Sequence, residues 1–248
     1  MTKFLVLGNW KSNGRLSDLA PFGAMFHKLT GPLPETMVTG IALPYHLVTH
    51  ADALAPHWIG AQNVSAHSEG AYTGEITSGM LAELGTRFCL VGHSERRQHY
   101  GETVQDTHAK LHRLLDADIY PVFCIGETLK QRQEGLLEAV LREQLSPLLK
   151  LDEENLAIAY EPVWAIGTGV AATPSDVAQA HGMIRGMLGD SKIEQTPILY
   201  GGSVKPNNAE ELATIDEVAG FLVGGASLKA DSFAAINNGF LRGKQLQT

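Results

Sequence analysis

The sequence has only two cysteines, Cys89 and Cys124. Both sit in apolar runs, so they read as small core residues and offer no disulfide framework. Basic residues are not in excess: the formal net charge is −8, which argues against a broad nucleic-acid footprint. The same charge repels an anionic ligand at a distance, so such a ligand needs local donors. No hydrophobic run is long enough to span a membrane, and the apolar run between Lys3 and Asn9 is too short for a signal peptide. These absences lead us to expect a cytoplasmic protein with no membrane contact. No linker, charge block or low-complexity segment interrupts the chain, so residues 1–248 read as a single domain. A (β/α)8 barrel typically takes ~250 residues.

What is present is alternation. Short apolar runs occupy Phe4–Gly8, Met37–Leu43, Trp58–Val64, Phe88–Gly92, Ile119–Ile125, Leu156–Tyr160, Pro197–Tyr200 and Ala219–Val223. Each reads as a strand buried on both faces, as in a parallel sheet. Between them lie amphipathic segments. Leu137, Val140, Leu141, Leu145 and Leu148 form one apolar stripe at helical spacing; Val177, Ala180, Ile184 and Leu188 form another. Thr173-Pro174 supplies a cap followed by a proline at the first helical position, and Thr128 with Gln131 fits a capping box. Eight strands alternating with about eight helices predict an α/β fold, a single (β/α)8 TIM barrel, with a doubly wound open sheet as the rival. The long Ser-, Gly- and Glu-containing loop Val64–Thr77 suggests a functional or interface role.

In a barrel, functional groups gather where strands end. The run Leu156–Tyr160 stops at Glu161-Pro162, and five apolar or aromatic residues then cross what should be a surface loop. Glu161 reads as a base at the mouth of a site, and residues 162–169 as its lid. A carboxylate there needs a partner or a raised pKa. The other strand ends offer Asn9 and Lys11, then His93 with Ser94 and Glu95, then Gly201, Gly202 and Ser203, then Gly224 and Gly225. Each has an ordinary alternative. Lys11 alone could be a solvated charge, His93 a structural imidazole, Glu95 a helix-dipole partner, and the glycines turns. Their convergence on one end of a barrel is the signal. Glycine pairs after the last two strands match the usual phosphate site of this architecture. Gly167-Thr168-Gly169-Val170-Ala171-Ala172 fits a loose dinucleotide pattern, but the residues after Glu161 separate it from the strand, so we set it aside. His46 with His50, and His108 with His112, have metal-like spacing; lacking an evident third ligand, they read as solvated helix faces.

The segments Asn9-Trp10-Lys11, Gly92-His93-Ser94-Glu95-Arg96-Arg97, Ala159 to Gly169, Tyr200-Gly201-Gly202-Ser203-Val204 and Gly220 to Leu228 resemble the triosephosphate isomerase family. Gln62-Asn63-Val64-Ser65 and Gly70 to Ile76 extend the resemblance, which runs from the first strand to the last helix. It implies interconversion of dihydroxyacetone phosphate and D-glyceraldehyde 3-phosphate, in glycolysis and gluconeogenesis, with no metal or organic cofactor. It implies that Glu161 moves the carbon-bound proton and that neutral His93 moves protons between the oxygens. Lys11 and Asn9 would hold the enediolate oxygen. Backbone N–H groups of Gly167, Ser203, Gly224 and Gly225 would grip the phosphate. Glu95 would contact the lysine, and Ile166 and Leu222 would keep water from Glu161. The loop Val64–Thr77 would reach a second subunit, with Thr73 near the partner's active site, giving a homodimer. Two positions depart from the family pattern: Val170 at the lid's far hinge and Ser12 after Lys11. The competing readings are another phosphosugar barrel, such as an aldolase, and a non-catalytic phosphosugar-binding protein.

Overall fold

The computed structural model describes residues 4–151, 155–166, 172–189, 191 and 193–246. Eight parallel strands close into a barrel in the order β1 to β8. They are β1 (Phe4–Asn9), β2 (Met37–Leu43), β3 (Trp58–Ala61), β4 (Phe88–Val91), β5 (Tyr120–Ile125), β6 (Ala157–Tyr160), β7 (Ile198–Tyr200) and β8 (Gly220–Val223). The closure is explicit in the register: β1 pairs β2 on one side and β8 on the other, with Leu5 opposite Gly220. The open-sheet alternative is therefore excluded.

The uninterrupted apolar runs follow from burial on both strand faces. Leu5, Leu7, Leu90, Val122, Cys124, Ala159 and Leu199 fill the barrel interior. Val6, Ile41, Val91, Phe123, Ile158 and Tyr160 face the surrounding helices in the larger core. Gly60 makes room for a bulky neighbour inside the barrel, since a Cβ there would lie 2.4 Å from the Phe88 ring.

The helices are α1 (Leu16–Thr30), α2 (Tyr45–Val48), α3 (Ser78–Glu83), α4 (Ser94–Tyr100) and α5 (Val104–Asp116) in the first half. In the second half come α6 (Leu129–Gln133), α7 (Leu137–Leu145), α8 (Pro174–Leu188), α9 (Ala209–Ala213) and α10 (Ala230–Gly243). The expected count of about eight helices is exceeded because two of the intervals between strands each hold two α-helices. Gly101, at φ 64°, ends α4 in a left-handed cap before Thr103 caps α5. Gly135, at φ 69°, separates α6 from α7. The expected start signals are present: Thr128 and Thr173 both form capping boxes, and Pro174 opens α8. The stripe reaching Leu148 is an α-helix only to Leu145, followed by a short 3-10 turn at Leu148–Lys150.

Candidate active site

The first strand delivers Asn9 and then an unusual backbone at Lys11, whose φ is 51°. For a residue with a Cβ, that conformation needs support from its surroundings. It has two supports. The Lys11 N–H donates to Asn9 Oδ1 at 3.0 Å, and the Gln62 side-chain amide donates to the Lys11 carbonyl at 2.8 Å. Gln62 also donates to the Ala42 carbonyl at 3.1 Å. β3 accordingly ends at Ala61 rather than at the expected Val64. The Lys11 ammonium meets Glu95 Oε1 at 2.5 Å.

The fourth strand ends in Gly92, and His93 then caps α4, its Nδ1 accepting the Glu95 N–H at 3.2 Å. The other ring nitrogen, Nε2, lies 2.9 Å from Glu161 Oε1. The second carboxylate oxygen, Oε2, accepts the Ser94 N–H at 2.9 Å. Glu161 is 2% exposed, so these contacts replace its lost hydration. Burial pushes its pKa up, but the electropositive Nε2–H of His93 with its hydrogen bond, and the Ser94 N–H, outweigh that and bring it below the usual carboxylate range. Of the two expected resolutions, a partner or a raised pKa, the partner wins.

Burial pushes the His93 pKa down, while the charge and hydrogen bond of Glu161 raise it above its ordinary value. The hydrogen-bond pattern opposes a second proton. An Nδ1 that accepts from the Glu95 amide cannot also carry hydrogen, and the positive end of α4 disfavours a cation. This specific geometry supports the neutral ring with hydrogen on Nε2, donating to Glu161.

The backbone behind Glu161 is equally constrained. Its N–H donates to the Ile125 carbonyl at 2.7 Å, while a Cβ on Gly126 would stand 1.7 Å from the Glu161 carbonyl oxygen. Only glycine allows that approach. The Gln144 side chain from α7 brackets the same residue, accepting from the Gly126 N–H at 2.7 Å and donating to its carbonyl at 3.0 Å.

Beyond Glu161 the chain forms a 3-10 turn at Val163–Ala165. Trp164 Nε1 donates to Glu127 Oε1 at 2.8 Å, and Ser203 Oγ donates to the Ala165 carbonyl at 2.8 Å. Glu127, wholly buried at the end of β5, also accepts from the Tyr160 hydroxyl at 3.1 Å and pairs with Arg132 at 3.2 Å. Sequence reasoning missed Glu127 and Gln144. Glu127 follows a buried strand closely, the same positional signal that singled out Glu161; Gln144 had no comparable signal.

Asn9, Lys11, His93, Glu161, Ile166, Ser203, Leu222, Gly224 and Gly225 line one cavity of about 280 Å³. That is near the small end of ligand pockets, ~300–1,000 Å³. Glu95 adjoins it through Lys11, and Gly201 and Gly202 complete the wall. Gly167, Thr168, Gly169 and Val170 lie outside the described residues. Among the described residues, no three His, Cys, Asp or Glu side chains gather into a metal-binding group. The Glu161 carboxylate, the His93 imidazole, the Lys11 ammonium and the Asn9 amide thus share a small space whose wall is otherwise glycine-rich, with Lys205 also in the lining. The set suits proton transfer beside an oxyanion, with an anionic group held by backbone donors.

A family model for triosephosphate isomerase matches residues 4–240. Proteins named triosephosphate isomerase are similar along nearly their whole lengths. The one from Cupriavidus taiwanensis is 44% identical, the alignment covering 96% of this chain and 100% of that relative. The one from Azoarcus sp. is 44% identical over 95% and 98%, and that from Rhodopirellula baltica 43% identical over 94% and 96%. With the closed barrel and the strand-end cavity, these matches establish that the chain belongs to the triosephosphate isomerase family.

Proposed function

We propose that Glu161 is the base with which this chain interconverts dihydroxyacetone phosphate and D-glyceraldehyde 3-phosphate. The carrying observation is the convergence of Glu161, His93, Lys11 and Asn9, from three strand ends, on one small cavity. In the ketone-to-aldehyde direction, Glu161 leaves its Ser94 contact and takes a proton from carbon 1. The electron pair moves into a carbon–carbon double bond, and the carbonyl oxygen at carbon 2 becomes an enediolate oxygen. His93 donates its Nε2 proton to that oxygen and accepts the hydroxyl proton at carbon 1. Glu161 then returns its proton to carbon 2. Every proton removed is replaced, and no electron acceptor is required.

Lys11 and Asn9 stabilise the negative oxygen as it develops, where a preorganised donor is worth roughly 3–4 kcal/mol. Glu95 holds the Lys11 ammonium in place. Ser203, Gly224, Gly225 and Gly167 bind the phosphate, and Ile166 and Leu222 shield the enediolate from water. Phosphate binding far from the reacting carbons supplies energy for closing the lid. The reaction serves glycolysis and gluconeogenesis in the cytoplasm. No described helix is long and apolar enough to cross a membrane.

The chain functions as a homodimer through Val64–Thr77. The loop closes at its base with a Ser65 N–H to Ile76 carbonyl bond of 2.8 Å, while Tyr72 and Thr73 are exposed. His67 stacks on Tyr72 at 3.9 Å, giving the projecting loop its own internal support.

Assay of purified Glu161→Gln tests the base. We expect turnover to fall by ~10²-fold or more while 2-phosphoglycolate binding persists. Near-normal turnover would remove Glu161 from the role. Sedimentation should give a dimer; a fully active monomer would refute the assembly.

A further inference from the structure

The exposed face of α5 carries a second arrangement of imidazoles, unrelated to the cavity. His108 and His112 are one turn apart, and their Nε2 atoms approach to 2.9 Å. The rings stand 4.6 Å apart between centroids and are inclined at 76°. Spacing alone suggested a solvated face, but the side chains are folded toward each other. The other histidine pair behaves differently: α2 ends at Val48, so His50 is off the helix that bears His46.

We propose that His108 and His112 form a surface site for one late divalent transition-metal ion, with Cu(II) favoured over Zn(II). Imidazole nitrogens bind such ions at ~2.0–2.1 Å. With the Nε2 atoms already neighbours, a small rotation of the two exposed rings turns both lone pairs toward one ion. The affinity order of divalent ions at nitrogen ligands favours copper over zinc.

In the metal-free pair, one Nε2 hydrogen bridges the rings. Binding requires that proton to move to Nδ1, leaving both rings neutral and both Nε2 lone pairs available. Asp116 lies one turn further along α5 but pairs with Arg113 at 3.9 Å. The protein therefore supplies two ligands and water completes the shell. A metal bridging two turns also stabilises α5 by binding the folded state. The site is ancillary to isomerisation and does not depend on the assignment of Glu161.

The test is titration of the full chain, freed of chelator, with Cu(II), Ni(II) and Zn(II). It is repeated on His108→Gln, His112→Gln and the double variant. We expect one Cu(II) per chain with two nitrogen ligands by electron paramagnetic resonance, and at least tenfold weaker binding in either single variant. Copper should raise the unfolding midpoint of the wild-type chain but not that of the double variant, while isomerase activity without metal remains equal in all four proteins. Wild-type copper affinity in both single variants overturns the site. Zinc binding as tight as copper binding overturns the preference for copper.

Discussion

Glu161 is held by two donors of different kinds, a side chain and a backbone amide. The amide can be removed selectively. Ser94 is the first residue of α4, where proline is tolerated, and His93 before it has φ −52° and ψ 139°, compatible with a following proline. Ser94→Pro deletes the N–H that favours ionised Glu161. Its pKa should rise, and the acid limb of kcat/KM should move to higher pH. A pH–rate profile superimposable on the wild type would show that the Ser94 amide does not tune the base. Lys11 illustrates another residue-scale feature. Its positive φ is maintained by Asn9 and Gln62, so Gln62→Ala should lower kcat/KM by loosening the Lys11 backbone, even though the ammonium remains. Unchanged kinetics in that variant would contradict this role.

At the scale of elements, the clamp of Gln144 on Gly126 joins α7 to the end of β5 beside Glu161. Gln144→Glu keeps the acceptor but turns the donor into a second oxygen facing a carbonyl. It should destabilise the protein by about 0.5–1.5 kcal/mol, read from urea unfolding, because one part-buried hydrogen bond is lost. A midpoint equal to that of wild type would refute the clamp. Much at this scale was legible in sequence. Both faces of the strands are buried, so the apolar runs located all eight strands, and Thr173-Pro174 located α8. The misplaced end of β3 has a local cause: Gln62 turns its amide toward Lys11 and Ala42. The glycine breaks at Gly101 and Gly135 set off α4 and α6, which carry no buried apolar stripe of their own, so hydrophobic periodicity does not mark them. Glu127 carried a positional signal at the end of β5, but its role in tying Tyr160, Trp164 and Arg132 together is visible only in three dimensions.

Across the whole molecule, charge and burial make acid the weak side. Burial lowers the pKa of His57 to about 4, with His27 contributing, and that of His181 to about 4 despite its bond to the Glu217 carbonyl. The unfolded chain binds these protons first, near the ordinary value of 6.5. Stability from these groups is full above that pH and declines as pH falls toward 4, then changes little further. His57→Phe, beside the Phe26 ring, should reduce the loss of stability between neutral pH and pH 4.5 by about 1–2 kcal/mol, allowing for partial exposure. An undiminished acid loss in that variant would contradict the assignment. The barrel brings its strand ends to one rim, where the proton is removed. The most direct test follows the hydrogen itself: dihydroxyacetone phosphate incubated in D2O with each protein and analysed by NMR. Wild type should introduce deuterium at the reacting carbons, and Glu161→Gln should not, while both bind 2-phosphoglycolate. Exchange at the wild-type rate in Glu161→Gln would contradict the claim that Glu161 takes the proton.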